Sequence, residues 1–218
     1  MIKRIGQLIS IILLLTVSLI IGSCDRHGAA WDKLDMAESL MNARPDSALA
    51  VLESIPASDI KGKETSARYA LLMSQALDKN YIDTTDFKVL QPAIDYYPDN
   101  GTPDEKLKTY YYQGCIYQNK GDDDNAMLSY INAREIKNVT DSLVLAHLFV
   151  AQGTLYLKQY KTSNFVANNI NAAKLYGSFG KHIMEIKSYA NALSGAIMLT
   201  DKYKADSIKN ICLELTAS

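Results

Sequence analysis

The stretch Lys106–Ile136, KLKTYYYQGCIYQNKGDDDNAMLSYINAREI, divides into two short amphipathic helices joined by the polar turn Asn119-Lys120-Gly121-Asp122. Residues three and four apart share one face of a helix. That rule groups Tyr110, Gly114 and Tyr117 in the first segment, and Ala126, Tyr130 and Ala133 in the second. Each helix sets a small residue against an aromatic of the other, which predicts two backbones in close approach.

The same alternation extends in both directions. Toward the N-terminus, periodicity predicts helices over Asp32–Asn42 and Ser47–Ser54, the latter capped by Asp46 and stopped by Pro56. Glu64–Lys79 and Asp86–Tyr97 follow, with Pro92 marking a kink or a late start, and Asp99–Pro103 reads as a turn. Toward the C-terminus lie Ser142–Leu157, Asn164–Tyr176, Ile183–Thr200 and Ser207–Leu215, and Phe149, Gly153 and Tyr156 repeat the spacing of Tyr110, Gly114 and Tyr117. Taking Met36, Ser74, Gly114, Gly153 and Ser194 as equivalent positions gives intervals of 38, 40, 39 and 41 residues. Longer loops between repeats would account for so long a period. A steady period predicts an all-α fold: one α-solenoid of about five helix-turn-helix pairs over residues 31–218, each pair burying its apolar face on its neighbours. The ending CLELTAS stays apolar-periodic, so no polar terminal cap is expected.

The pattern of aromatic, small residue and Tyr, then Ala, aromatic and Ala, resembles the tetratricopeptide repeat, with Gln113 where that family prefers Leu and Asn138 near its preferred Pro. The resemblance implies that the first helices of successive pairs line a concave groove. A face offset from Tyr110, Gly114 and Tyr117 selects Arg68, Leu71, Gln75, Lys108, Tyr111, Gln118, His147, Val150, Thr154 and Lys158. The set is mixed polar and aromatic, which suits a protein or peptide segment and equally suits an ordinary solvated face. It lacks the Lys-Asn carboxylate clamp of chaperone-binding members.

The first residues read differently. Lys3 and Arg4 precede an apolar run, Ile5–Ile21, diluted by polar residues, and the run ends in Ile21-Gly22-Ser23-Cys24. Small residues directly before Cys resemble the bacterial lipobox, which implies a signal peptide over 1–23, diacylation of Cys24, and a tether over 24–30. Two or three acyl chains give stable anchoring. Without Lys3 and Arg4 the formal charge falls from −1 to −3, so no basic excess exists for nucleic acid. Fourteen Tyr against four Phe and one Trp suit interfaces that want an apolar ring with a wet hydroxyl edge.

Reactive constellations are not evident. His27, His147 and His182 have no partner at metal-ligand spacing, Asp122–Asp124 lacks the rest of a calcium loop, and no nucleophile elbow or phosphate-cradling loop occurs, so neither enzyme activity, cofactor, metal nor small-molecule substrate is expected. Cys115 and Cys212 are far apart and read as small apolar helix residues rather than a disulfide. Ser47, Thr84, Ser142 and Ser207 each follow Asp in a pattern that resembles the O-glycosylation sequon of Bacteroidota envelope proteins. Helix capping by the same Asp residues explains the pattern as well.

Together these features resemble the tetratricopeptide-repeat lipoproteins of Bacteroidota. That implies a scaffold in the cell envelope, lipid-anchored to the inner or outer membrane and facing the periplasm, that binds protein or peptide segments in its groove. Longer members add a membrane helix, a coiled coil or a DNA-binding domain. This sequence stops before any of them, which leaves the sensor part of a regulatory system, or a truncated one, as the implied role. The alternative is a glycan-binding lipoprotein of nutrient uptake; its relatives stack sugars on exposed Trp, and the sole Trp31 here stands beside the tether.

Overall fold

The computed structural model describes residues 28–217; the expected signal peptide, Cys24 and the first part of the tether lie outside them. Among the described residues all regular structure is helical. The α-helices are α1 (Ala29–Leu40), α2 (Pro45–Glu53), α3 (Lys63–Lys79), α4 (Gln91–Asn100) and α5 (Pro103–Asn119). They continue as α6 (Asp123–Glu135), α7 (Ser142–Lys158), α8 (Thr162–Ser178), α9 (His182–Met198) and α10 (Lys202–Ala217). Each packs on the next along the chain, and α1, α3, α5 and α7 also pack side by side. This is the arrangement of a helical repeat solenoid. The core runs along it as successive buried clusters, the largest spanning α3 to α7.

Most bonds between pairs span a similar distance along the chain. Trp31 Nε1 donates to Thr65, Arg68 to Asp35, Asn80 to the Pro45 carbonyl, Asn119 to the Thr84 carbonyl and Lys158 to Asp123; Asp104 receives Thr140 and Asp141. Each therefore ties one pair to its immediate neighbour and to nothing further, as expected when every repeat contacts only the repeats beside it.

The turns repeat as well. Tyr81, Gly121, Tyr160 and Thr200 all lie in the left-handed region, with φ of 59°, 79°, 60° and 58°. Behind them the N–H groups of Ile82, Asp122, Lys161 and Asp201 reach back to the carbonyls of Leu77, Tyr117, Tyr156 and Ala196 at 2.8–3.0 Å. These are Schellman closures, which satisfy carbonyls left over at a helix end. Gly180 forms one more between α8 and α9. Their positions set the true period, 40, 39 and 40 residues. From α7 onward each helix starts 20 residues after the last, at 142, 162, 182 and 202. The long period there lies in a lengthened second helix, α8, and not in a longer loop. The Gln159–Lys161 turn matches Lys120–Asp122 in length.

Several expected boundaries move. α1 begins at Ala29 and buries Ala30, so the tether ends earlier than residue 30. α4 begins at Gln91 because Pro92 is accommodated in a first turn, where its missing N–H costs nothing; Asp86–Leu90 stay outside the helix. The expected Asp99–Pro103 turn shrinks to Gly101-Thr102, and Thr102 with Glu105 forms a capping box at the start of α5. Asp46 sits within the first turn of α2 and caps nothing, Thr84 precedes no helix until Gln91, and Asp206-Ser207 lie inside α10. Helix capping thus accounts for one of the four Asp-Ser/Thr pairs, at Asp141, whose carboxylate accepts from Val144 N–H at 3.1 Å. Two repeat markers shift by one residue: Met36 is 55% exposed beside the buried Ala37, and Ser194 is exposed beside the buried Gly195.

Within the central pair the expected close approach is present. A Cβ on Gly114 would fall 2.2 Å from Tyr130 Cε1, and the Tyr130 ring is fully buried with its hydroxyl donating to Gln118 Oε1 at 2.9 Å. At Gly153 the nearest atom is Asn169 Nδ2 at 3.0 Å, which has to give way by only a few tenths of an ångström. Gly114→Ala is therefore expected to lower stability by about 2 kcal/mol after its helix-propensity gain, and Gly153→Ala to cost well under half of that. Urea melts of the two variants check this. Thr200→Gly should add about 1 kcal/mol, because a β-branched residue is held in left-handed backbone with its side chain exposed; the same melts read it.

Candidate functional site

The row α1, α3, α5 and α7 carries the expected groove face, and the structure sorts its residues into three groups. Arg68, Leu71, Gln75 and Lys108 come together. They line a cleft of about 260 Å³ with Trp31 and Glu38 of α1, Glu64 and Leu72 of α3, Tyr97 of α4 and Glu105 of α5. Arg68 reaches across to α1, donating to Asp35 and Glu38 at 2.6 Å each, with its guanidinium 4.7 Å above the Trp31 ring. Lys108 Nζ lies 3.1 Å from Asp141 at the start of α7. Gln75 is 7% exposed, lines the cleft, and has no hydrogen-bond partner among the described residues.

Tyr111 and His147 form a second group deeper along the row. Tyr111 is buried, with its ring 6.1 Å from Tyr130 and 6.5 Å from His147. His147 Nδ1 lies 2.8 Å from the Tyr176 hydroxyl. Tyr111 is more buried than Tyr110, which the helical wheel assigned to packing. The cause is the number of neighbours: α5 packs against α3, α4, α6 and α7, so more than half of its circumference is covered. Burial pushes the Tyr111 hydroxyl well above its ordinary range, and burial together with the nearby Lys79 charge holds His147 down at about 4.

Gln118, Thr154, Lys158 and Val150 do not join the site. Gln118 is taken up by the Tyr130 hydroxyl, Thr154 donates to its own helix at the Val150 carbonyl, and Lys158 turns to Asp123 on α6 at 2.9 Å. Of the Asp-preceded hydroxyl residues, Ser207 is exposed and Ser47, Thr84 and Ser142 are half-buried.

Sequence reasoning missed Trp31, Glu64, Lys79, Tyr97, Glu105 and Tyr176. A signal existed for two of them. Glu64, Arg68, Leu71, Gln75 and Lys79 form one continuous stripe at helical spacing, and only its middle was selected. Trp31 had been placed beside the tether, whereas it packs on α3 through Thr65 and Arg68. Asp104, at the start of α5, fixes the entry of α7 by accepting from Thr140 Oγ1 and from the Thr140 and Asp141 N–H groups at 2.7 and 3.0 Å. Burial would raise its pKa, but these bonds and Lys108 outweigh burial and hold it below the usual carboxylate range.

Among the described residues no group of three or more His, Cys, Asp or Glu is placed to hold a metal, and no helix is long and apolar enough to cross a membrane. The Cys115 thiol, beside the Tyr130 hydroxyl, is pushed up to about 12 chiefly by burial, so it stays protonated at neutral pH.

The depressed His147 makes stability acid-sensitive in a defined window. Unfolded, its imidazole takes a proton near its ordinary value; folded, it resists until about 4. The unfolded state therefore binds more protons between those limits, and stability falls as pH drops through them. We expect a loss of about 2 kcal/mol from this group between pH 6.5 and 4. Melts at several pH values should show a steeper decline for the wild type than for His147→Gln. Compared with family models, curated proteins and solved structures, the chain matches none.

Proposed function

We propose that the five helix pairs are tetratricopeptide-like repeats of a lipid-anchored envelope scaffold, and that the row of first helices binds a segment of a partner protein. The observation that carries this reading is the cleft on that row, floored by Gln75, whose amide has no partner among the described residues. An amide with both its donor and its acceptor still to be used can pair with the N–H and C=O groups of a bound segment. The lipobox-like residues before Cys24 supply the anchor. The hollow between Ser74, Tyr112 and Thr84, by contrast, holds about 10 Å³, scarcely one water. Sugar stacking is the weaker reading, because Arg68 already covers a face of Trp31. A sensor role would follow if binding in the groove were passed to another envelope protein.

Affinity purification of the chain from native membranes tests both halves. Cys24→Ser is expected to move the protein from the membrane to the soluble fraction. Lys79→Glu, on the groove stripe, is expected to lose specific partners while melting normally. Unchanged fractionation would remove the anchor, and identical partners would remove the groove.

A further inference from the structure

The charges around the cleft are unequal, and they name a class of occupant. Both cations on its wall are committed: Arg68 to Asp35 and Glu38, and Lys108 to Asp141. The carboxylates are not balanced in return. Asp35 and Glu38 share the one guanidinium, Glu105 receives the Thr102 N–H and hydroxyl and the Tyr97 hydroxyl but no cation, and no hydrogen bond or ion pair among the described residues engages Glu64. Glu64 and Glu105 stand in the first turns of α3 and α5. On the floor lies Gln75, a residue 7% exposed whose amide has no partner among the described residues. Trp31, Leu71 and Tyr97 supply apolar wall.

We propose that this cleft binds a lysine or arginine side chain of an extended peptide segment, its charged head between Glu64 and Glu105 and its backbone on the Gln75 amide. The inference rests on the groove reading above and deepens it. A volume of about 260 Å³ takes one long side chain with its flanking peptide and excludes a helix. The methylene stem lies along Leu71 and Tyr97, as long basic side chains do when the head stays polar. An acidic segment would instead meet Glu64 and Glu105, neither of them paired with a cation, with both wall cations already taken.

Trp31 is the only tryptophan in the chain and lines the cleft, so its fluorescence reports on occupancy. The probe is a blocked alanine peptide carrying lysines, compared with the same peptide carrying glutamates. The lysine peptide is expected to give a saturable change that raised salt weakens, with affinity reduced about tenfold in Glu64→Gln and in Gln75→Leu. The glutamate peptide is expected to give none. A saturable response to the glutamate peptide, or a lysine response unaltered in Glu64→Gln, overturns the assignment. A flat lysine titration, with membrane partners still captured by the wild type and lost with Lys79→Glu, overturns the cation pocket alone. Partners indifferent to Lys79→Glu remove the groove reading itself.

Discussion

The seat of the Tyr130 ring on Gly114 sets the geometry on which the other helices depend. No side chain can stand between them, since even a methyl group would fall inside the ring's van der Waals surface. The hydroxyl at the far edge of the ring is fixed by Gln118, so the ring cannot swing clear. The α5–α6 approach is thereby held at one distance, and the faces of α5 left over are presented to α3 and α7 at fixed angles. Similar small-against-bulky contacts recur at Gly153 with Asn169 and at Gly195 with Val166, though only the central one pins a fully buried aromatic. Because interiors are close-packed, such contacts pass geometry along the row rather than absorb it.

From that constraint the site follows. The row of first helices is stitched by polar bonds rather than by apolar burial alone: Arg68 ties α3 to α1, Asp104 and Lys108 tie α5 to the entry of α7. Those bonds consume the cations and leave acids in surplus at the N-terminal end. Further along, His147 and Tyr176 close the row with a hydrogen bond of 2.8 Å between Nδ1 and the hydroxyl. One end of the row is therefore open and acidic, and its middle is closed and aromatic.

Much of this was legible from residues alone. Apolar spacing placed every helix in order, since α-helical periodicity over a dozen or more residues is a strong signal. Boundaries failed where two devices compete for one residue. Pro92 breaks a helix or opens one with the same ring, and Asp46 caps or fills a first turn with the same carboxylate. The face of α5 was half legible: Lys108 and Gly114 fell where expected, but Tyr111 went inside because α5 has neighbours on several sides. The cleft itself was not legible. It pairs Trp31 and Glu38 with Glu64, Arg68, Tyr97 and Glu105, residues brought together only by the angle between successive helix pairs. No spacing rule within one helix contains that angle.

Everything proposed for the cleft over Gln75 turns on whether it binds a basic segment. The side-chain amide NMR signals of Gln75, identified by their loss in Gln75→Leu, test it most directly during addition of the lysine peptide. We expect them to shift and gain protection from exchange as the cleft fills. Signals that stay in place while amides elsewhere on the surface respond would contradict the claim.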